Sequence, residues 1–214
     1  MVQQPRVIAV PLFCGICLLL HVLISPFLRL PFAFGTGDFF IADILKATLP
    51  LQVAPLKTGE VWRTLSYALL HGSWAHLTLN LFGLWLTGGT LERQFGWRTT
   101  LRVLLMGCAA GAVGFVASLL LDPRLSPATV CIGASALLTA CIGTLTTAFP
   151  KHHVTLWVFV LPIRLRTLWL APTMLLLLTA ECAFPFFGTA YGAHLGGWLA
   201  GLLAGSLLRS QITP

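Results

Sequence analysis

Charge is what this chain has least of. Of its 214 residues only 9% are charged, while 57% are hydrophobic; a soluble domain carries about 25% charged residues. Six acidic and 13 basic residues are too few to cover a water-soluble fold of this size, so the composition predicts a polytopic membrane protein. The formal net charge of +7 does not indicate nucleic acid, because the basic residues are spread thinly between apolar runs and form no basic face. A disulfide framework is excluded as well. Cys14, Cys17, Cys108, Cys131, Cys141 and Cys182 all fall in apolar stretches, where cysteine behaves as a small hydrophobe. Cys14-Gly-Ile-Cys17 has redox spacing but no βαβ context. The HExxH zinc string is absent, and no carboxylate or thiolate is placed with His71, His76 and His194, so neither a metal nor a cofactor is expected.

What is present is a series of uncharged runs: 7–28, 64–91, 103–121, 125–150, 167–180 and 182–208. The first is longer than the ~7–15-residue core of a signal peptide, and no small-x-small cleavage site follows it. A helical span needs ~20 residues. The run 64–91 begins with polar residues, so its helix is expected from near Ser73. The fifth helix is expected from about Leu168 to Phe184, with Glu181 near one end. The stretch 152–163 is too short to span and reads as an interfacial segment or an extension of the fourth helix. The expected fold is an all-α bundle of six transmembrane helices forming one domain over 1–214. Basic residues set its orientation. With the N-terminus inside, Arg6, Arg93, Arg98, Arg102, Lys151, Arg164, Arg166 and Arg209 share the inner side with one acid, Glu92. Arg29, Lys46, Lys57, Arg63 and Arg124 on the outer side are balanced by Asp38, Asp43, Glu60, Asp122 and Glu181. Both termini are therefore expected in the cytoplasm, in a membrane read as the bacterial cytoplasmic one. The outer connection from about 30 to 72 is long, and its start is crowded by Pro31, Phe32, Phe34, Phe39, Phe40 and Ile41. It reads as a structured loop lying partly in the outer leaflet.

Ionisable and polar groups inside a membrane are expensive, which makes each a functional candidate. They are His21, His76, Asn80, Ser135 and His194, with His71 just ahead of the second helix. Helices two, four and six all enter from the outer face. His76 and Asn80, Ser135, and His194 each fall near the start of their helix, so three separate helices bring these side chains to one depth, ~5–12 Å below the outer surface. Small-residue faces let such helices approach: His194, Gly197, Gly201 and Gly205 on one, and Ser135, Thr139, Gly143 and Thr147 on another. A neutral histidine can take the proton of a serine hydroxyl. His76 and Asn80, at i and i+4, with the Ser135 amide, can donate to a developing oxyanion. Gly35-Thr36-Gly37-Asp38 matches the GxGD string of aspartyl intramembrane proteases, but it lies in the outer loop with no second helical acid. Gly133-Ala134-Ser135-Ala136-Leu137 lacks the last glycine of GxSxG and lies in a helical pattern.

In order, Trp62-Arg63, His71-Gly-Ser-Trp-Ala-His76-Leu-Thr-Leu-Asn80, Gly88-Gly89-Thr90-Leu91-Glu92-Arg93, Gly133-Ala134-Ser135 and Ala193-His194-Leu195-Gly196-Gly197 with Gly201 resemble the rhomboid family of intramembrane serine proteases. The resemblance covers about residues 58–209. It implies a Ser135–His194 dyad without a catalytic acid and an oxyanion site from His76, Asn80 and backbone amides, including that of Ala134. The substrates it implies are single-span membrane proteins cut near the outer face of the lipid bilayer. Two positions depart from the family pattern: Ala136 follows the serine where glycine is usual, and Thr139 stands where many members carry a tyrosine that stacks on the histidine. Two other functions are compatible with the sequence: a non-catalytic rhomboid-like binder of membrane proteins, and a small channel or transporter lined by His76 and His194.

Overall fold

The computed structural model describes residues 6–24, 41–158, 161–184 and 191–210. The aromatic start of the first loop, Pro31 to Phe40, and the Gly35-Thr36-Gly37-Asp38 string lie outside these residues. Helix α1 spans Ala9–Ile24. Three short helices follow, α2 (Ile41–Thr48), α3 (Val53–Lys57) and α4 (Arg63–Ser66), with a 3-10 turn at Tyr67–Leu69. Helix α5 covers Trp74–Leu121 and α6 covers Ser135–Ala148. Strands β1 (His153–Val158) and β2 (Leu161–Arg166) precede a 3-10 turn at Thr167–Trp169, helix α7 (Leu170–Ala183) and helix α8 (Tyr191–Arg209).

Helix α5 is long and apolar enough to cross a membrane. Its 48 residues are more than twice the ~20 that one crossing needs. Gly96, at φ 77° and ψ 164°, breaks it into two helices; this backbone conformation is one that glycine adopts without a Cβ penalty. Close contacts establish the directions. A Cβ on Gly83 would meet Leu138 and one on Gly88 would meet Cys141, whereas one on Gly107 would meet Ala140 and one on Gly111 would meet Ala136. The first half of α5 thus runs parallel to α6 and the second half runs back. Cβ atoms on Gly197, Gly201 and Gly205 would meet Ala136, Ala140 and Thr144 in turn, so α8 is also parallel to α6. The small-residue faces read from the sequence do meet, and Thr147 Oγ1 donates across them to the Leu202 carbonyl at 2.9 Å. Three parallel helices therefore present their N-termini at one end of the bundle.

The outward faces stay apolar: Leu79 is 71% exposed, Val113 70% and Leu120 77%. A water-soluble monomer does not display such a surface; hydrocarbon is its natural solvent. Charge is used sparingly and is bonded. Glu92, fully buried, accepts from the backbone amides of Ile8 at 2.5 Å, Ala9 at 2.6 Å and Val10 at 3.0 Å. The carboxylate satisfies three orphan donors at the start of α1 and complements the helix dipole. Arg63 does the same for the first loop, donating to Glu60 Oε2 at 2.6 Å, the Pro50 carbonyl at 2.9 Å and the Ala47 carbonyl at 2.7 Å.

One sequence expectation is corrected here. The stretch 152–163, read as an interfacial segment or an extension of the fourth helix, is not a helix extension. His153–Val158 and Leu161–Arg166 pair as antiparallel strands, with His153 opposite Arg166 and Val158 opposite Leu161. Pro150 stops α6, because the residue before a proline is disfavoured in the helical region, and Val154-Thr155-Leu156-Trp157-Val158 has the β-branched and aromatic content of a strand. Within the run 125–150, α6 has 14 residues and begins at Ser135, in keeping with the reading of Ser135 near a helix start.

Candidate active site at the helix N-termini

The loop that leads into α6 is held by the first loop. Leu51 and Cys131 exchange backbone hydrogen bonds at 3.1 and 3.0 Å, and the Gly133 amide donates to the Tyr67 carbonyl at 3.0 Å. Gly133 has φ 117°, which an L-residue with a Cβ rarely adopts. The backbone turns there and α6 starts two residues later. The helical context read for Gly133 and Ala134 is thus corrected, and Ser135 is the first helical residue. This position changes what its hydroxyl can do. A serine inside a helix usually donates to its own i−4 carbonyl, as the hydroxyls of Thr144 and Thr146 do here. No turn of α6 precedes Ser135, and its Oγ lies 2.7 Å from His194 Nε2.

The other face of the His194 ring is occupied too. Nδ1 lies 2.9 and 2.8 Å from the two carboxylate oxygens of Glu181 on α7. A carboxylate only accepts, so Nδ1 carries the ring proton and Nε2 presents a lone pair to the Ser135 hydroxyl. The family resemblance implies a pair without an acid; in the structure a third group touches the ring. Sequence reasoning counted Glu181 as a charge at a helix end and gave it no role. The signal was that it is the one acid between 167 and 209, in apolar surroundings where an unpartnered carboxylate is costly.

Across from Ser135, Ser73 caps α5 by accepting from the His76 amide at 3.1 Å, which fixes the first turn. His76 and Asn80 then project toward Gly133. A Cβ there would lie 2.7 Å from His76 Nε2 and 3.3 Å from Asn80 Nδ2. Asn80 is buried, and its Nδ2 has no hydrogen-bond partner among the described residues. Leaving a buried donor unsatisfied costs ~1–3 kcal/mol, so a donor aimed at the serine loop stands ready for an acceptor. The Ala134 amide, expected as a further donor, is already engaged: it donates to His71 Nε2 at 3.3 Å. His21 is edge-on to Trp74, with ring centroids 4.6 Å apart, and lines a cavity together with His71. Thr139 sits one turn beyond Ser135, buried, with its Oγ1 donating to the Ala136 carbonyl at 3.0 Å.

A family model described as the Rhomboid domain matches residues 58–211. The chain belongs to the rhomboid family. Two curated relatives carry the name rhomboid protease. GluP of Bacillus subtilis is 39% identical over 87 residues, 41% of this chain and 16% of the relative. GlpG of Haemophilus influenzae is 30% identical over 142 residues, 65% of each chain. RHOMBOID-like protein 5 of Arabidopsis thaliana is 32% identical over 90 residues, 42% of this chain and 28% of the relative. The matches thus span less than two thirds of these relatives' lengths. The rhomboid match covers α4 through α8 and the whole group of side chains described above, and it places the chain in an integral membrane family.

His71 makes one expected result measurable. It lies in the loop ahead of α5, and burial, aided by the neighbouring His76 and His21, pushes its imidazole down from 6.5 to about 4. A ring harder to protonate folded than unfolded contributes in full above pH 6.5, and that contribution is lost as pH falls toward 4. Melting temperature in detergent is therefore expected to drop across this window, with a limiting loss of about 1.4 kcal/mol per pH unit. His71→Gln retains an acceptor for the Ala134 amide and should flatten the drop; an unchanged pH dependence would remove His71 as its source.

Proposed function

We propose that this chain is an intramembrane serine endopeptidase that cleaves single-span membrane proteins near the outer membrane face. The observation that carries this reading is the 2.7 Å contact between Ser135 Oγ and His194 Nε2 at a helix N-terminus. Ser135 attacks the scissile carbonyl while His194 Nε2 takes its proton and then passes it to the leaving amine. The carbonyl oxygen becomes an oxyanion beside the Ser135 amide, His76 and Asn80. These donors are fixed before the reaction and gain their partner as charge develops. Water then hydrolyses the acyl intermediate. A cavity of about 510 Å³, mostly apolar but lined also by His21, Lys46, His71 and Ser73, opens beside the loop ahead of α5. The substrate helix must unwind to expose its carbonyl, so helix-breaking residues near the cut should favour cleavage.

In this reading the bundle crosses the membrane six times. The eight inner basic residues against one acid support cytoplasmic termini, which puts the N-termini of the first half of α5, α6 and α8 at the outer face. Both nitrogens of His194 are engaged in hydrogen bonds, which suits a positioned base better than the lining of a transport path. The test is purified protein in detergent or bilayers, a panel of single-span substrates, and a serine-directed covalent probe. Cleavage and labelling at Ser135 are expected. A folded protein that does neither would be a non-catalytic binder or a channel.

A tyrosine at position 139 is not expected to help. A Cβ on Gly197 would already come within 2.6 Å of Thr139 Oγ1, so no room remains for a ring, and overpacking costs ~1–3 kcal/mol. Thr139→Tyr should lower the melting temperature without raising turnover. A more active and equally stable variant would show that the α6–α8 contact is looser than described.

A further inference from the structure

The acid on the far side of His194 goes beyond the dyad that the resemblance implies. We infer that Glu181 is a positioning residue for His194, holding the ring proton on Nδ1 and stabilising the imidazolium that forms when Ser135 gives up its proton. The inference rests on the protease reading above and adds a third, acidic member to its machinery.

Geometry comes first. Both carboxylate oxygens of Glu181 lie within 2.9 Å of Nδ1, on the nitrogen opposite the one that faces Ser135. The contact is sheltered: the side chains of His194 and Glu181 are only 15% and 22% exposed. An anion in such surroundings is screened less than at an open surface. It also fixes a choice the ring cannot make alone. A free imidazole divides its proton between two nitrogens, and only the form with Nδ1–H can accept from Ser135.

The other charged and titratable groups around the pair are accounted for. Asp122, in the segment after α5, is 2.7 Å from Arg124 Nη2 and accepts from the Tyr191 hydroxyl at 2.9 Å. Arg124 Nη2 also reaches Cys182 Sγ at 3.7 Å, beside Glu181. This network ties the segment after α5 to α7 and α8, and so holds the element that carries Glu181 against the helix that carries His194. His76, on α5, interacts electrostatically with His194. Among these groups Glu181 is the acid bonded to the ring.

The decisive substitution is Glu181→Gln, which keeps size and removes charge. Its amide group can also donate to the ring and favour the wrong tautomer. In a buried triad the equivalent loss is ~10⁴ in turnover; for this partly exposed acid, about 10- to 10³-fold is expected, with KM within about twofold. The loss should fall on turnover and not on KM, because the anion stabilises an imidazolium that forms only as Ser135 gives up its proton. A bond that only glued α7 to α8 would lower the melting temperature and leave the turnover of the folded enzyme in place. Glu181→Asp keeps the anion and should recover part of the loss, with turnover between the other two. Should Glu181→Gln not fold, Glu181→Asp decides, and turnover equal to the parent protein would overturn the role. Ser135→Ala is run alongside. Absent cleavage in the parent protein, or retained cleavage in Ser135→Ala, defeats the protease reading and this inference together. Ser135-dependent cleavage with unchanged turnover in a folded Glu181→Gln defeats the Glu181 role alone.

Discussion

Ser135→Ala is expected to remove cleavage of single-span substrates, by at least ~10³-fold, while leaving the protein folded. The size of the effect follows from the lack of a substitute. The next hydroxyl along α6, that of Thr139, donates to the Ala136 carbonyl at 3.0 Å and is packed under α8. No hydroxyl among the described residues other than Ser135 is bonded to His194 Nε2. The structural cost is small by comparison. One hydrogen bond contributes ~0.5–1.5 kcal/mol net, and alanine is the best helix former, so the melting temperature should shift by no more than a few degrees. Cleavage is read by the appearance of product fragments, folding by the thermal transition in detergent. Substantial cleavage by a well-folded Ser135→Ala would sink the mechanism, since the remaining groups could only polarise a carbonyl.

The second large effect is expected at a residue with no functional atom of its own. Gly133→Ala adds a single methyl where φ is 117°, 2.7 Å from His76 Nε2 and 3.3 Å from Asn80 Nδ2. His76 would have to swing aside, and the methyl would fill the space into which these donors point. Loss of one preorganised donor costs ~10²–10³ in turnover, and both face this methyl, so a loss at the upper end is expected, with substrate affinity little changed. Backbone strain alone, ~1–2 kcal/mol for an L-residue in the left-handed region, would lower stability as well. Gly59 separates the two contributions. It has φ 95° with nothing within 4 Å of a Cβ, so Gly59→Ala should carry the strain and keep the activity. Equal activity losses in the two variants would mean that backbone strain, and not the His76–Asn80 site, sets the effect.

Much of this molecule is legible in its sequence. Sparse charge and long apolar runs dictate a membrane-embedded helical chain, because the cost of burying a charge in hydrocarbon is paid residue by residue wherever the helix packs. The alignment of Gly197, Gly201 and Gly205 on one face, and of Thr139, Gly143 and Thr147 on another, is likewise a property of each helix by itself. From it the approach of α6 and α8 follows. Ser135, His76, Asn80 and His194 could be named as a set because each is a costly polar group near a helix start. The turn at Gly133 was hidden, so Gly133 and Ala134 read as helical, since hydropathy does not register a left-handed backbone. The β1–β2 pair was hidden because a short apolar run has no length to declare its type. Ala134 read as a free amide until the loop brought His71 Nε2 to 3.3 Å. Glu181 shows the division most clearly. Its presence in an apolar stretch is written in the sequence, but its partner is chosen by how α7 lies against α8 and by which rotamers fit there. A hydrogen bond of 2.8 Å depends on helix positions to within a fraction of an ångström. Composition and periodicity set which groups must be satisfied, and only tertiary packing decides by whom.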